Sequence, residues 1–578
     1  MRRVVLAVCA LLVVGALTAC GGSGGNNNNN PSVTVSPATA NVQVAGKQQF
    51  TAAVTGASTA VNWQVNGVAG GSSSTGTIDS TGLYTAPLIV PTPASVTVTA
   101  VLQADASVTG NAIVTVTAVQ FNNSSLRGNY IFSLAGIDGN GFPFYAVGAI
   151  TADGFGNITG GEEDLNDVSS GYLQVTSVSG TYNIGSDGRG TLNLNSSLGS
   201  FSYAFAMQAL NNAGLNEIDN NVINATGTLE QQSATGITAP SGNYAFGFAG
   251  SGLNCGTGAN GIGVFSLSSG NLSGLQDLNC GGTITQSDPL SGYYSGVDGL
   301  GRGTGLFSAS TGSAGFVYYV ISANRYRFMC PNAATFFLGS ADLQTKPSFV
   351  ATDFNGSYVV STSANTRAGV SYTLIQLNAS GGNVPSGYFD INDTGSVGKG
   401  TLNGAYGVEP NGHITGSLTA SVASFPFSMY LISPSQAYYL EQQPTGSGGG
   451  NVYAQGSSVS SNAAWVGSYA TRQFGYFIFG GSVRPGNSTS VSGQISADGA
   501  GTLAGTLDFN DPSNIYQGQV LQGTYSVGTL APGRTIVAIT TAADGTRNYV
   551  AYIVDQGRVL LLETDTNLAA SGDAVRQF

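Results

Sequence analysis

The chain has 578 residues, of which only 8% are charged, against roughly 25% in ordinary soluble domains. Its 17 basic and 29 acidic side chains give a net charge of −12, which argues against a nucleic-acid partner or an anionic lipid face, because phosphate binding needs clustered cations. Glycine is abundant at 85 residues; long amphipathic helical patterns are almost absent, and strand-length runs punctuated by Asn-Gly, Asp-Gly and Gly-Gly predict an all-β chain.

Residues 1–19 run from Arg2 and Arg3 through a short apolar stretch to small residues, the layout of a secretory signal and too short for a membrane span. Leu17-Thr18-Ala19-Cys20 resembles the bacterial lipobox. That resemblance implies that Cys20 is lipidated and holds the protein at the cell envelope, on the outer membrane or cell surface. Without Arg2 and Arg3 the balance is 15 basic against 29 acidic, or −14. Residues 20–31, "CGGSGGNNNNNP", read as a flexible tether.

From residue 32 to 118 short alternating strands follow one another. Gly46 to Ala52, Trp63 and the "GTIDSTGLYTAP" segment from Gly76 to Pro87 resemble bacterial Ig-like domains of group 2. The resemblance implies a β-sandwich module with Trp63 in its core, of a kind common in surface and adhesive proteins and often a spacer.

Beyond Val119 a repeat takes over. Gly-x-Tyr recurs at Tyr130, Tyr244, Tyr358 and Tyr469, and Gly-x-x-x-x-Gln ends each copy at Gln232, Gln344, Gln455 and Gln577. Four tandem copies follow, at 126–233, 241–346, 354–456 and 465–578. Each contains Asp-Φ-Asn, where Φ is apolar: Asp164-Leu165-Asn166, Asp277-Leu278-Asn279, Asp390-Ile391-Asn392 and Asp508-Phe509-Asn510. A second Gly-x-Tyr follows at Tyr182, Tyr294, Tyr406 and Tyr525, then a glycine turn with a basic residue, Arg189, Arg302, His413 or Arg534, and an aromatic strand. Turn signals give about eight strands per copy, a number that closes into a small antiparallel meander barrel. Closure pairs the Gly-x-Tyr strand with the Gly-x-x-x-x-Gln strand and removes both edges. The rival is a β-propeller with two blades per copy.

Several residues invite chemistry. His413 is the only histidine, but the repeat puts arginine at its position in the other copies, which reads as a structural role, capping carbonyls or pairing with a carboxylate, and leaves no Ser-His-Asp arrangement. Asp and Asn two apart on a strand share a face. Asp164, Asn166, Asp390, Asn392, Asp508 and Asn510, with Asp167, Asp393 and Asp511 nearby, are therefore weak candidates for calcium; an Asx-type turn is the plainer reading. Glu162, Glu163 and Asp164 form an acidic run, but strand neighbours face opposite ways, which counts against a glycosidase pair. The exported chain favours a disulfide between Cys255 and Cys280, with Cys330 left over; wide spacing and no nearby histidine count against zinc.

The reading that results is a lipid-anchored, non-enzymatic envelope protein whose repeated β modules serve adhesion or ligand binding, with a glycan or a surface protein as partner. Two alternatives remain open: a carrier holding small apolar ligands inside its barrels, and a glycan-active hydrolase.

Overall fold

The computed structural model describes residues 30–578 apart from 168, 220–223, 235–236, 253–254, 333–334, 367–368, 422 and 513. Cys20, the signal sequence and most of the tether lie outside the described residues. The chain divides into two compact units, up to Thr117 and from Ala118 onward.

The N-terminal unit is built from short strands. Its largest sheet runs in the order Thr39–Gln43, Thr109–Thr117, Ser95–Leu102, Val61–Val65, Val68–Ala69, with the first pair parallel. Apolar residues alternate inward along Ser95–Leu102 and Thr109–Thr117 and pack with Phe50, Trp63 and Tyr84, all buried. The turn in "DSTGLY" is fixed by Asp79, whose Oδ1 accepts from the backbone N–H of Thr81 (2.8 Å) and Leu83 (3.1 Å). Gly82 there has φ of +84°, and a Cβ on it would lie 2.4 Å from the Phe50 carbonyl and 2.9 Å from the Trp63 ring.

The second unit consists of four closed eight-stranded antiparallel barrels in tandem, here barrels 1 to 4. In each, the first strand pairs with the last: Tyr130 lies opposite Gln231, Tyr244 opposite Leu343, Tyr358 opposite Ala454 and Tyr469 opposite Arg576. The barrel expectation therefore holds, and the propeller is set aside. In barrel 1 the fourth stave is split into Gly171–Val175 and Ser179–Ile184, both paired to Asn157–Asp167.

The barrels close because their inward positions are predominantly apolar. Barrel 2 is filled by phenylalanines, with Phe246, Phe248, Phe265, Phe316, Phe328 and Phe337 in one buried cluster. The Gly-x-Tyr tyrosines are buried as well. Tyr244, Tyr358 and Tyr469 donate their hydroxyls to the carbonyls of Ala323, Pro434 and Gln556, tying the first strand to the turn between the sixth and seventh strands. Tyr130 instead accepts from the Arg127 backbone N–H at 3.2 Å.

Candidate functional site

The third strand of each barrel carries Asp-Φ-Asn. Alternation turns Leu165, Leu278 and Phe509 into their own barrels' cores, so the flanking Asp and Asn face outward. Outward here does not mean into solvent. Asp164, Asp277, Asp390 and Asp508, with Asn166, Asn279, Asn392 and Asn510, are all buried, because each pair is pressed against another barrel.

The partners are the basic turn residues of the next copy. Arg302 of barrel 2 donates through Nε and Nη2 to the two carboxylate oxygens of Asp164 in barrel 1, at 2.7 and 2.8 Å. Arg534 of barrel 4 grips Asp390 of barrel 3 in the same two-pronged way, at 2.7 and 2.6 Å. His413 of barrel 3 contacts Asp277 of barrel 2 through Nε2 at 2.9 Å. The fourth joint closes the set: Arg189 of barrel 1 donates to Asp508 of barrel 4 at 2.7 Å, across 319 residues. The four barrels form a ring.

Two further repeated residues follow the same cycle. Asn166, Asn279 and Asn392 donate to backbone carbonyls of Cys330, Glu441 and Glu563 in the following barrel, and Asn510 donates to Glu217 of barrel 1. The closing glutamines also reach forward. Gln232 donates to Val320, Gln344 to Leu431 and Gln455 to Ile553, each at 2.7 to 2.8 Å, and Gln577 donates to Asp187 of barrel 1 at 2.9 Å. These charge-assisted and backbone-satisfying bonds hold each joint in one register.

The joints are not identical. Opposite Arg302, His413 and Arg534 on the neighbouring strand stand Tyr319, Tyr430 and Tyr552. Tyr319 and Tyr552 donate to the joint aspartate at 2.7 and 2.8 Å, and Tyr430 stacks on His413 with ring centroids 4.5 Å apart. In barrel 1 that position is Ala206. Arg189 is correspondingly the more exposed, at 20% of its side chain against 4% for Arg534.

His413 is held above the usual histidine range: burial lowers it, but the bond and charge of Asp277, helped by Glu409, outweigh that. Glu163 points into barrel 1 and burial pushes it up to about 7, while Glu162 and Asp164 face the joint. Glu163 and Asp164 are thus on opposite sides of one strand, and no cleft unites them as a hydrolase pair. Of the residues weighed for calcium, Asp164, Asp390 and Asp508 have their oxygens taken by guanidinium groups. Of the nearby carboxylates, Asp167 accepts from the Ser169 backbone N–H (3.0 Å) and Ser170 (2.9 Å) in a local turn. Asp511 accepts from Thr489, and Asp393 is partly buried with its pKa raised by desolvation. Cys255 and Cys280 form a disulfide with Cα atoms 4.8 Å apart. Cys330 is buried and free, and burial pushes its thiol up to about 12.

A set of buried carboxyls escaped the sequence reading. Glu217, Glu441 and Glu563 hold the same register in barrels 1, 3 and 4, opposite Tyr203, Phe427 and Tyr549; Cys330 stands there in barrel 2. Desolvation raises all three, Glu563 to about 8. The recurring "NE", "LE", "LE" at the end of the seventh strand was the available signal.

Two barrel interiors keep cavities. Barrel 2 keeps only about 30 Å³ among its phenylalanines. Barrel 3 keeps about 280 Å³, lined by Ile375, Phe389, Leu402 and Leu418 with Glu441 and Asp393 at its polar end.

No protein-family model matches the chain, and no curated protein is significantly similar to it. Among solved structures, a point mutant of transferrin binding protein B from Haemophilus parasuis Hp5 aligns over 63% of this chain and 82% of its own, at 10% identity and a TM-score of 0.16. Isotype 1 transferrin binding protein B from serogroup B Neisseria meningitidis aligns over 65% and 83%, at 11% identity and a TM-score of 0.18. Similarity at this level assigns neither a family nor a function.

Proposed function

We propose that this is a non-enzymatic binding protein of the cell envelope, lipidated at Cys20, in which the four barrels act as one rigid ring. The observation that supports this reading most is the fate of the repeated polar residues. Asp, Asn, Arg or His, and Gln recur in every copy, which is how a repeated catalytic or metal site would look, yet all four are spent on joints between barrels. What remains for recognition is the rigid arrangement itself, with loops and seams that differ from copy to copy. Rigid display suits binding, because a preorganised surface loses little entropy on association. The N-terminal unit, read as an Ig-like module, serves as a spacer between membrane and ring.

The test is a binding screen of residues 32–578 against glycans and surface proteins, with and without calcium. Calcium-independent binding that weakens when a joint is opened by Arg534→Met supports the reading; failure across the panel removes it.

The cavity of about 280 Å³ in barrel 3 favours a second reading, a carrier of a small, largely apolar molecule with one polar end. An apolar fluorescent probe that binds wild type, and not a Leu418→Trp variant, would establish it.

A further inference from the structure

An open cavity of about 360 Å³ is lined by all four barrels. Each contributes its first, seventh or eighth strand, so the cavity lies on the axis around which the joints cycle. Its size is within the ~300–1,000 Å³ range of ligand sites.

The axis is where the copies stop resembling one another. Arg472 lines it from the first strand of barrel 4, at the position that holds Ser133, Gly247 and Ser361 in the other copies, three residues after each Gly-x-Tyr tyrosine. Arg327 on the seventh strand of barrel 2 has Gly214, Tyr438 and Leu560 as its counterparts, and Arg558 of barrel 4 has Asn212, Arg325 and Gln436. The chain contains only 17 basic residues; three of them, Arg327, Arg472 and Arg558, line the cavity, and Arg325 shares Glu230 with Arg327. They lie outside the repeated joint set, and the bonds they make between barrels, such as Arg558 Nη1 to the Tyr453 hydroxyl at 3.2 Å, are not repeated from copy to copy.

Their surroundings leave donors over. Arg327 and Arg325 flank Glu230 and hold its carboxyl down to about 2 against the effect of burial; Arg325 also lies 3.7 Å from Asp342. Arg472 Nε and Arg558 Nη1 share Asp573, at 3.2 and 3.1 Å. Arg472 Nη1 donates to the Gly227 carbonyl at 3.0 Å, and Arg558 lies over the Tyr453 ring at 4.7 Å. Among the described residues, Arg472 keeps its Nη2, and Arg558 its Nε and Nη2, without an acceptor. Of these charged groups, Arg327, Arg472, Arg558 and Asp573 line the cavity itself, and Asp555 also acts on Arg558. Both Arg472 and Arg558 are 31% exposed, so a solute can reach them.

We propose that this axial cavity binds a carboxylate-bearing saccharide, with Arg472 and Arg558 taking the carboxylate and Thr226, Ser361 and Asn451 the hydroxyls. Planar guanidinium forks match a carboxylate. Thr226, Ser361 and Asn451 beside the guanidinium forks suit a carboxylate carried on a polyol rather than a bare phosphate. The rest of the lining mixes hydroxyl and amide groups with aromatic and aliphatic ones, Tyr453, Phe474, Leu338 and Leu560 among them, the chemistry that reads sugar hydroxyls and apolar ring faces. This assignment rests on the binding-protein reading above and names its ligand class.

The test is calorimetric titration of residues 32–578 with glucuronate, glucose and inorganic phosphate. Glucuronate is expected to bind at least tenfold more tightly than either of the others, and Arg558→Gln and Arg472→Gln each to weaken it at least tenfold. Ser361→Gln, which crowds the cavity without touching an ion pair, should do the same with the melting temperature unchanged. Equal binding of phosphate, or glucuronate affinity unaltered by these variants, overturns the proposal. A surface ligand from the screen that binds wild type and Arg558→Gln equally would overturn the axial site and leave the binding-protein reading intact.

Discussion

Arg534→Met tests the ring most directly. Both Arg534 and Asp390 are 4% exposed, and Asp390 receives two bonds from Arg534 and one from Tyr552. Methionine keeps an apolar stem against Tyr388, over which the guanidinium now sits at 5.3 Å, but leaves the buried carboxylate without its counter-charge and Oδ1 without that donor. Breaking a buried pair from one side costs about 3–5 kcal/mol, whereas replacing both partners by apolar groups is often neutral. The single variant should therefore lose about 3–5 kcal/mol in urea unfolding, and Asp390→Leu combined with Arg534→Met should recover most of it. Lys346–Asp353, with the lysine 40% exposed, is the internal control, since such a surface pair contributes at most about 1 kcal/mol. A loss below about 1 kcal/mol for Arg534→Met, or a double variant no better than the single, would refute the claim that the joint is a tightly held buried contact.

At the ring-closing joint, Arg189→Met should cost less than Arg534→Met, because Arg189 is 20% exposed and Ala206 replaces the joint tyrosine; equal losses would contradict this. Stability should fall as pH rises from 5 to 8. Glu163 and Glu563, raised by burial to about 7 and about 8, and His413, raised chiefly by Asp277 against burial, all hold their protons more tightly folded than unfolded. Their contribution is complete below the unfolded values and is lost as pH climbs through the folded ones. Glu563→Gln should flatten the slope, at about 1.4 kcal/mol per pH unit of displacement, and stability that is flat or rising over this range in wild type would count against it. Reducing Cys255–Cys280, which closes a loop of 25 residues, should destabilise barrel 2 by about 3.5 kcal/mol on the chain-entropy estimate, measured by unfolding with and without reductant.

The barrels were legible in the sequence and the ring was not, for a physical reason. Strand count, alternation and the pairing of first with last strand follow from local spacing, since the meander joins neighbours by short turns. Asp-Φ-Asn, the basic turn and the closing glutamine were visible too, as residues repeated without an obvious task. Their pairing, Asp164 with Arg302 or Asp277 with His413, links elements 138 and 136 residues apart, and a periodic signal says only that such residues recur. The reading of Asp-Φ-Asn as a local turn holds in part, since the Oδ1 atoms of Asn279 and Asn392 accept from the backbone N–H groups of Gly282 and Gly395, but it missed that the outward face is buried by the next barrel. The substitution of His413 for arginine did point to a carboxylate partner. The axial arginines were hidden for the opposite reason: Arg325, Arg327, Arg472 and Arg558 occupy positions where the copies differ, and a search for what repeats passes over them.

A linear array of repeats must cap its two ends, because each terminal unit has a face with no neighbour. Here every barrel offers a forward face, with its Asp, Asn and closing Gln, and a backward face, with its basic turn and the carbonyls those residues reach. Four copies bring the forward face of barrel 4 onto the backward face of barrel 1, where Arg189 meets Asp508 and Gln577 meets Asp187. Closure removes the need for a cap and explains how a chain with so few charges can bury several of them without waste: each joint aspartate has a basic side chain fixed opposite it. It also creates one place that belongs to no single copy. Symmetry would make the axis a repeated surface, yet only barrels 2 and 4 place arginines there, and the bonds these make between barrels are not among those that repeat around the ring.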